Sequence, residues 1–236
     1  KRKYINLSKG KIDMSNNEYT KRLENVIKQM LQPLKDIPFN LVIESMTGKK
    51  VISFDFAKSD HQKILSLLKQ AALNAGKEIN KTGILRPRPN EVGNDIEPYV
   101  RNALNLMDIN ADIPIGPSGH KKSTGYPDIL FWFNENPYYL ECKTYNIKNI
   151  KTTQRSFYLS PSDEFKVIYD APHFIISFEI YVAGEQGNKH IYKCKHYKIL
   201  SIESLSLDIK YEFNSDNKRM YSGKDGTIIL AEGEIE

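Results

Sequence analysis

Two short apolar runs, Ile129-Leu130-Phe131-Trp132-Phe133 and Tyr138-Tyr139-Leu140, stand on either side of Asn134-Glu135-Asn136-Pro137. β-branched and aromatic residues around a turn-forming tetrapeptide predict a β-hairpin. Flanks this bulky predict that the hairpin is buried, so the chain has to build a sheet and a cover around it. In an antiparallel pair, opposed residues have numbers whose mean falls at the centre of the turn. For 128 and 141 that mean is 134.5, inside the tetrapeptide. Asp128 and Glu141 are therefore expected opposite each other or one step off, with Cβ atoms about 4.5–5.5 Å apart if directly paired.

Two bare carboxylates at that distance repel, and without a cation between them one is expected to hold a proton near neutral pH. Glu141 and Lys143 are two apart on a strand and share a face, while Cys142 points to the other. Two hard oxygen ligands with room for water and a phosphate suit Mg²⁺. The lysine can orient or deprotonate an attacking water and stabilise charge growing on a phosphoryl group. The alternative is an exposed hairpin with an ordinary Glu–Lys pair, worth a few tenths of a kcal/mol; the apolar flanks argue against it.

Periodicity places the other elements. Tyr19, Leu23, Val26, Ile27, Met30 and Leu31 predict a helix over 17–34, closed by Pro33. Leu41-Val42-Ile43 and Val51-Ile52-Ser53-Phe54 read as two strands around a turn. A helix capped by Asp60 is expected to run to about Ala75 and end at Gly76. Thr82 to Asn90 reads as a connection, and a helix follows from Asn94 to Met107 with Ile96, Val100, Ala103, Leu104 and Met107 as its apolar stripe. A loop from Asp108 to Thr124 leads to the hairpin, and His173 to Val182 and Lys189 to Ile202 are further strands. The order predicts an α/β (α+β) domain whose central mixed β-sheet is flanked by helices. Residues 1–236 are expected to be one domain, with 1–80 an N-terminal helical and hairpin extension and 90–200 the catalytic core.

Composition excludes several classes. With 40% apolar and 27% charged residues, and 14 Tyr, 10 Phe and 1 Trp, the chain is an ordinary folded one. No apolar stretch is long enough to span a bilayer, and the polar opening residues do not resemble a secretory leader. Two cysteines, Cys142 and Cys194, make no disulfide framework, so a reduced cytoplasmic setting is expected. A net charge of +5 is compatible with a nucleic-acid partner and decides nothing alone. His190, Cys194 and His196 share one face of a strand, but nothing completes a four-ligand zinc site.

Pro127-Asp128, twelve intervening residues and then Glu141-Cys142-Lys143 resembles the PD-(D/E)XK nuclease motif. Glu97, on the helix before the hairpin, resembles the acidic residue that these nucleases commonly place there. Size and basic balance resemble those of a type II restriction endonuclease, and Arg155 to Ser162 is similar to segments of bacterial restriction enzymes. The resemblance covers about 50 residues, Glu91 to Lys143, and implies a restriction-endonuclease-like core. It also implies Mg²⁺-dependent cleavage of double-stranded DNA (Mn²⁺ substituting) that leaves 5′-phosphate and 3′-hydroxyl ends.

On that reading Asp128, Glu141 and the carbonyl of Cys142 hold the metal, Lys143 activates the water, and Glu97 binds a second metal or a water. A palindromic target would be read by a twofold homodimer. A cognate DNA methyltransferase would be the functional partner. His120, Lys121 and Lys122 are candidates for the DNA backbone, and Gln154 and Arg155 have side chains suited to reading adenine and guanine edges. The rival readings are a structure-specific or repair nuclease, such as a junction resolvase, and a non-catalytic DNA-binding protein on the same fold. Retention of Asp128, Glu141 and Lys143 together weighs against the second.

Overall fold

The computed structural model describes residues 17–32, 34–121, 124–148, 150–152, 156–162 and 164–209. These fall into two compact units. In the first, α1 (Asn17–Met30) is an amphipathic helix, and the Ile209 N–H donates to the Leu34 carbonyl at 2.9 Å. The second, Ile37–Leu207, contains the sheet.

In that unit β1 (Ile37–Pro38) pairs with the last strand among the described residues, β8 (Ser206–Leu207). A helix, α2 (Phe39–Thr47), occupies the segment whose sequence predicts a strand. Tertiary packing overrides the β-propensity of Leu41-Val42-Ile43, because Phe39 and Ile43, four residues apart, are buried together as one helical face. Gly48 ends this helix at φ 69°, its N–H donating to the Glu44 carbonyl, a left-handed position that glycine takes without steric cost. Val51 makes only an isolated bridge to Ala171.

The next helix, α3 (Ser59–Thr82), runs past Gly76 to a cap at Gly83. Gly76 lies inside the helix beside the Phe178 ring, where a Cβ would make an ordinary contact at 3.5 Å. The expected connection after it holds an edge strand, β2 (Ile84–Arg86), and a 3₁₀ turn at Pro89–Glu91. The helix α4 (Gly93–Asn105) buries Ile96, Val100, Ala103 and Leu104, as its stripe predicts. A two-residue strand, β3 (Ala111–Asp112), precedes the hairpin of β4 (Ile129–Phe133) and β5 (Asn136–Tyr145). Two long strands, β6 (His173–Gln186) and β7 (Lys189–Ser201), follow.

The six-stranded sheet has the order β2-β7-β6-β5-β4-β3. β5 and β6 run parallel and the other neighbours antiparallel. The expected α+β mixed sheet with helical flanks is present. Alternation along the strands makes two cores. Tyr138, Leu140 and Cys142 of β5 join Phe174, Ile176 and Phe178 of β6 under α3 and α4. Tyr139 faces the other way, onto Phe39 and Ile43 of α2, Tyr126, Phe165 and Ile175. Within residues 37–82, α2 and α3 supply buried side chains to these cores. Among the described residues no helix is long and apolar enough to cross a membrane.

Candidate active site

The hairpin has the register that its turn predicts. Pairing runs from Ile129 opposite Leu140 to Phe133 opposite Asn136, around Asn134 and Glu135 at φ 48° and 62°. That is the twist of a two-residue hairpin turn, so Asn136 and Pro137 belong to β5 rather than to the turn. One step further, the same register sets Asp128 opposite Glu141.

A hydrogen bond fixes the first carboxylate. Asp128 Oδ2 accepts from the Cys142 N–H at 2.8 Å. Burial raises the pKa of Asp128, while that bond and the charges of Lys143 and Lys166 pull it back. Glu141 is only 5% exposed. Its Oε1 accepts from Lys143 Nζ at 2.5 Å, while Oε2 is buried and accepts no hydrogen bond among the described residues. Burial first, and then the Asp128 charge, push Glu141 up to about 7 against Lys143 and Lys166. Both carboxylates are thus pushed upward together, as expected of a bare pair sharing a proton.

Asp128 and Lys143 lie at a cleft of about 740 Å³, while Glu141 is buried behind its lining. Asp128, Cys142 and Lys143 line one wall, Gly93, Asn94 and Glu97 of α4 another, and Thr152, Ser156 and Tyr158 a third. Cys142 turns its thiol into the core under α3 and α4, leaving its backbone on the site side. Glu97 forms an ion pair with Arg101 one helical turn on. Burial raises its pKa, Arg101 opposes this, and Asp128 adds to it. Asp95, also acidic and close in sequence, is tied away by two hydrogen bonds of 2.7 Å from Arg86 on β2. That pair holds the start of α4 to the sheet edge and aims Glu97 at the cleft.

The chemistry of these donors fits a hard divalent cation. Among the described residues no three carboxylate, imidazole or thiolate side chains form one cage. An ion at Asp128 and Glu141 would complete its shell with backbone oxygen, water and phosphate, the pattern Mg²⁺ favours. The unpartnered Oε2 of Glu141 supplies a buried acceptor for it.

Lys166 was not found by sequence reasoning. It is 2% exposed, in the segment between β5 and β6, and its charge lowers the pKa of Glu97, Asp128 and Glu141 alike. The only signal in the sequence is a lysine between two apolar neighbours, Phe165 and Val167. Of the residues expected on DNA, His120 and Lys121 are exposed and do not line the cleft, and Lys121 pairs with Asp112. Lys122, Gln154 and Arg155 lie outside the described residues.

Residues 32–224 match the type II restriction enzyme MjaV family. The type II restriction enzyme MjaV of Methanocaldococcus jannaschii is 37% identical over 239 residues, covering 94% of this chain and 100% of that protein. Among solved structures, the tetrameric restriction endonuclease SfiI bound to cognate DNA is similar at a TM-score of 0.39 and 14% identity, over 64% of this chain and 66% of that one. A family match over most of the length and a relative aligned from end to end agree with the acidic hairpin and its lysine: this chain belongs to the type II restriction enzyme MjaV family and is a site-specific DNA endonuclease.

Proposed function

We propose that the cleft hydrolyses double-stranded DNA with Mg²⁺ held by Asp128, Glu141 and the Cys142 carbonyl, Mn²⁺ substituting. The observation that carries this is the convergence of Asp128, Glu141 and Lys143, with Lys143 Nζ 2.5 Å from one Glu141 oxygen and the other oxygen buried facing the Asp128 charge. A divalent ion bound there supplies Lewis-acid stabilisation of phosphoryl charge and acidifies a coordinated water. The protein's own groups do the positioning. Lys143 orients the attacking water and offsets the negative charge that grows on the phosphoryl oxygens. Lys166 opposes the rise that burial imposes on all three carboxylates. Glu97, which lines the same cleft and feels the Asp128 charge, holds a second ion or a water.

Attack by the water oxygen in line with the phosphorus–O3′ bond breaks that bond and leaves a 5′-phosphate and a 3′-hydroxyl. A palindromic target would be cut by a twofold homodimer, since the symmetry of the site mirrors that of the protein. Gln154 and Arg155 would read bases. What supports them is that Thr152 and Ser156, on either side in the chain, line the cleft. His120, Lys121 and Lys122 would meet the DNA backbone outside it. The enzyme would act in the cytoplasm beside a methyltransferase that protects the same sequence.

The test is cleavage of several long unmodified DNAs in Mg²⁺ and in EDTA, with Lys143→Ala alongside. Discrete fragments that require both Mg²⁺ and Lys143, with 5′-phosphate ends, are the expected result. Fragments of equal yield from Lys143→Ala would overturn the assignment of the site.

A further inference from the structure

Tyr126 lies two residues before Asp128, and Tyr139 two residues before Glu141. Both pack on one side chain, His173, at the start of β6. Tyr126 Oη and His173 Nδ1 share a hydrogen bond of 2.5 Å, with the rings stacked at 5.8 Å and 12°. The Tyr139 ring lies 4.8 Å from the imidazole, and Tyr139 is the β-sheet partner of His173. Phe39 of α2 closes the box edge-on at 5.4 Å. His173 is 1% exposed and Tyr126 4%, so neither finds water as a substitute partner. A Tyr hydroxyl buried here without the imidazole would lose its hydrogen bond, which a purely apolar core does not require.

We infer that His173 is a positioning residue: through its hydrogen bond to Tyr126 and its packing on Tyr139, it sets the spacing of the Asp128 and Glu141 carboxylates. This rests on reading those two as the metal ligands. The mechanical argument is short. Asp128 precedes β4 and is held to β5 by the hydrogen bond from the Cys142 N–H. Tyr126 supplies a second, independent anchor to β6, the strand that runs parallel to β5. Tyr139 is anchored at its far end as well, because its hydroxyl accepts the N–H groups of Ile168 and Tyr169 at 2.8 and 3.1 Å. The two strand segments bearing the carboxylates are thus referenced to the same imidazole. Burial pushes the His173 pKa down to about 3, so the ring stays neutral.

The test uses the full chain and Mn²⁺. Metal affinity is measured by calorimetry, the metal dependence of cleavage is recorded, and melting is followed in EDTA. The variants are Tyr126→Phe, His173→Leu, His173→Asn and, as the reference, Asp128→Asn. Tyr126→Phe and His173→Leu are expected to weaken Mn²⁺ binding about tenfold and to raise the metal concentration for half-maximal cleavage more than they lower the saturated rate. His173→Asn, whose amide can reach the Tyr126 hydroxyl, is expected to recover most of the affinity. Should His173→Leu fail to fold, Tyr126→Phe, which removes a single oxygen, carries the same test. A fall in melting temperature with unchanged Mn²⁺ affinity in Tyr126→Phe would make the pair structural only and overturn the inference. Unchanged Mn²⁺ binding in Asp128→Asn would overturn the ligand assignment itself, and the positioning role with it.

Discussion

The backbone N–H of Cys142 donates to Asp128 Oδ2 at 2.8 Å, so the residue between Glu141 and Lys143 holds the opposing carboxylate in place. One carboxylate oxygen is thereby committed to the fold. The variable position of the motif acts through its backbone, and its side chain is free to serve the core on the other face of the sheet.

Asp128→Asn and Asp128→Ala should therefore separate. The Asn carbonyl can still accept from the Cys142 N–H, so its melting temperature should stay near that of the parent. Ala leaves that N–H without its partner and should cost about 1–3 kcal/mol. Both should lose metal-dependent cleavage. Urea unfolding in EDTA, together with a cleavage assay, distinguishes the two effects.

Lys143→Ala should lower the cleavage rate by at least about 100-fold while DNA binding persists. It also removes the partner of Glu141 Oε1 and should raise the Glu141 pKa further. Single-turnover rates and a binding titration in Ca²⁺ check both parts.

Burial and the Asp128 charge push Glu141 up to about 7, against an ordinary value of 4.5. Between these values the native state holds a proton that the unfolded chain has released, so metal-free stability should fall as pH rises from about 4.5 to 7. Mn²⁺ should flatten the trend, and metal binding near neutral pH should release a proton. Melting temperatures across this range, with EDTA and with Mn²⁺, test the sign. Lys166→Met removes a charge that lowers three carboxylate pKa values. It should move the pH dependence of metal binding upward.

Gly83 caps α3 at φ 77° and ψ 170°, and a Cβ there would fall 2.4 Å from Ile191 Cγ2. Gly83→Ala should destabilise the protein by about 1–3 kcal/mol, since this backbone region is essentially reserved for glycine. Chemical denaturation measures it, and Gly48→Ala, with open space around the Cβ, gives the cost of a positive φ alone.

The sequence by itself determined the hairpin and its register, and with them that Asp128, Glu141 and Lys143 come together at its end. Those are local: a turn between two apolar runs sets which residues oppose, and a two-residue period sets which share a face. It also determined α4, whose apolar stripe is unbroken from Ile96 to Leu104. Only the tertiary structure decided the state of Leu41-Val42-Ile43, because burial of Phe39 and Ile43 on one side outweighs β-branched propensity. Only it turned the Thr82–Asn90 stretch into an edge strand, whose partner, β7, lies about a hundred residues away in the chain. Lys166 and His173 are of the same kind. Each is an ordinary residue in its own neighbourhood. Lys166 acts on the carboxylates, and His173 packs on Tyr126 and Tyr139, only when β5 and β6 are laid parallel and the segment joining them is pinned by the Tyr139 hydroxyl.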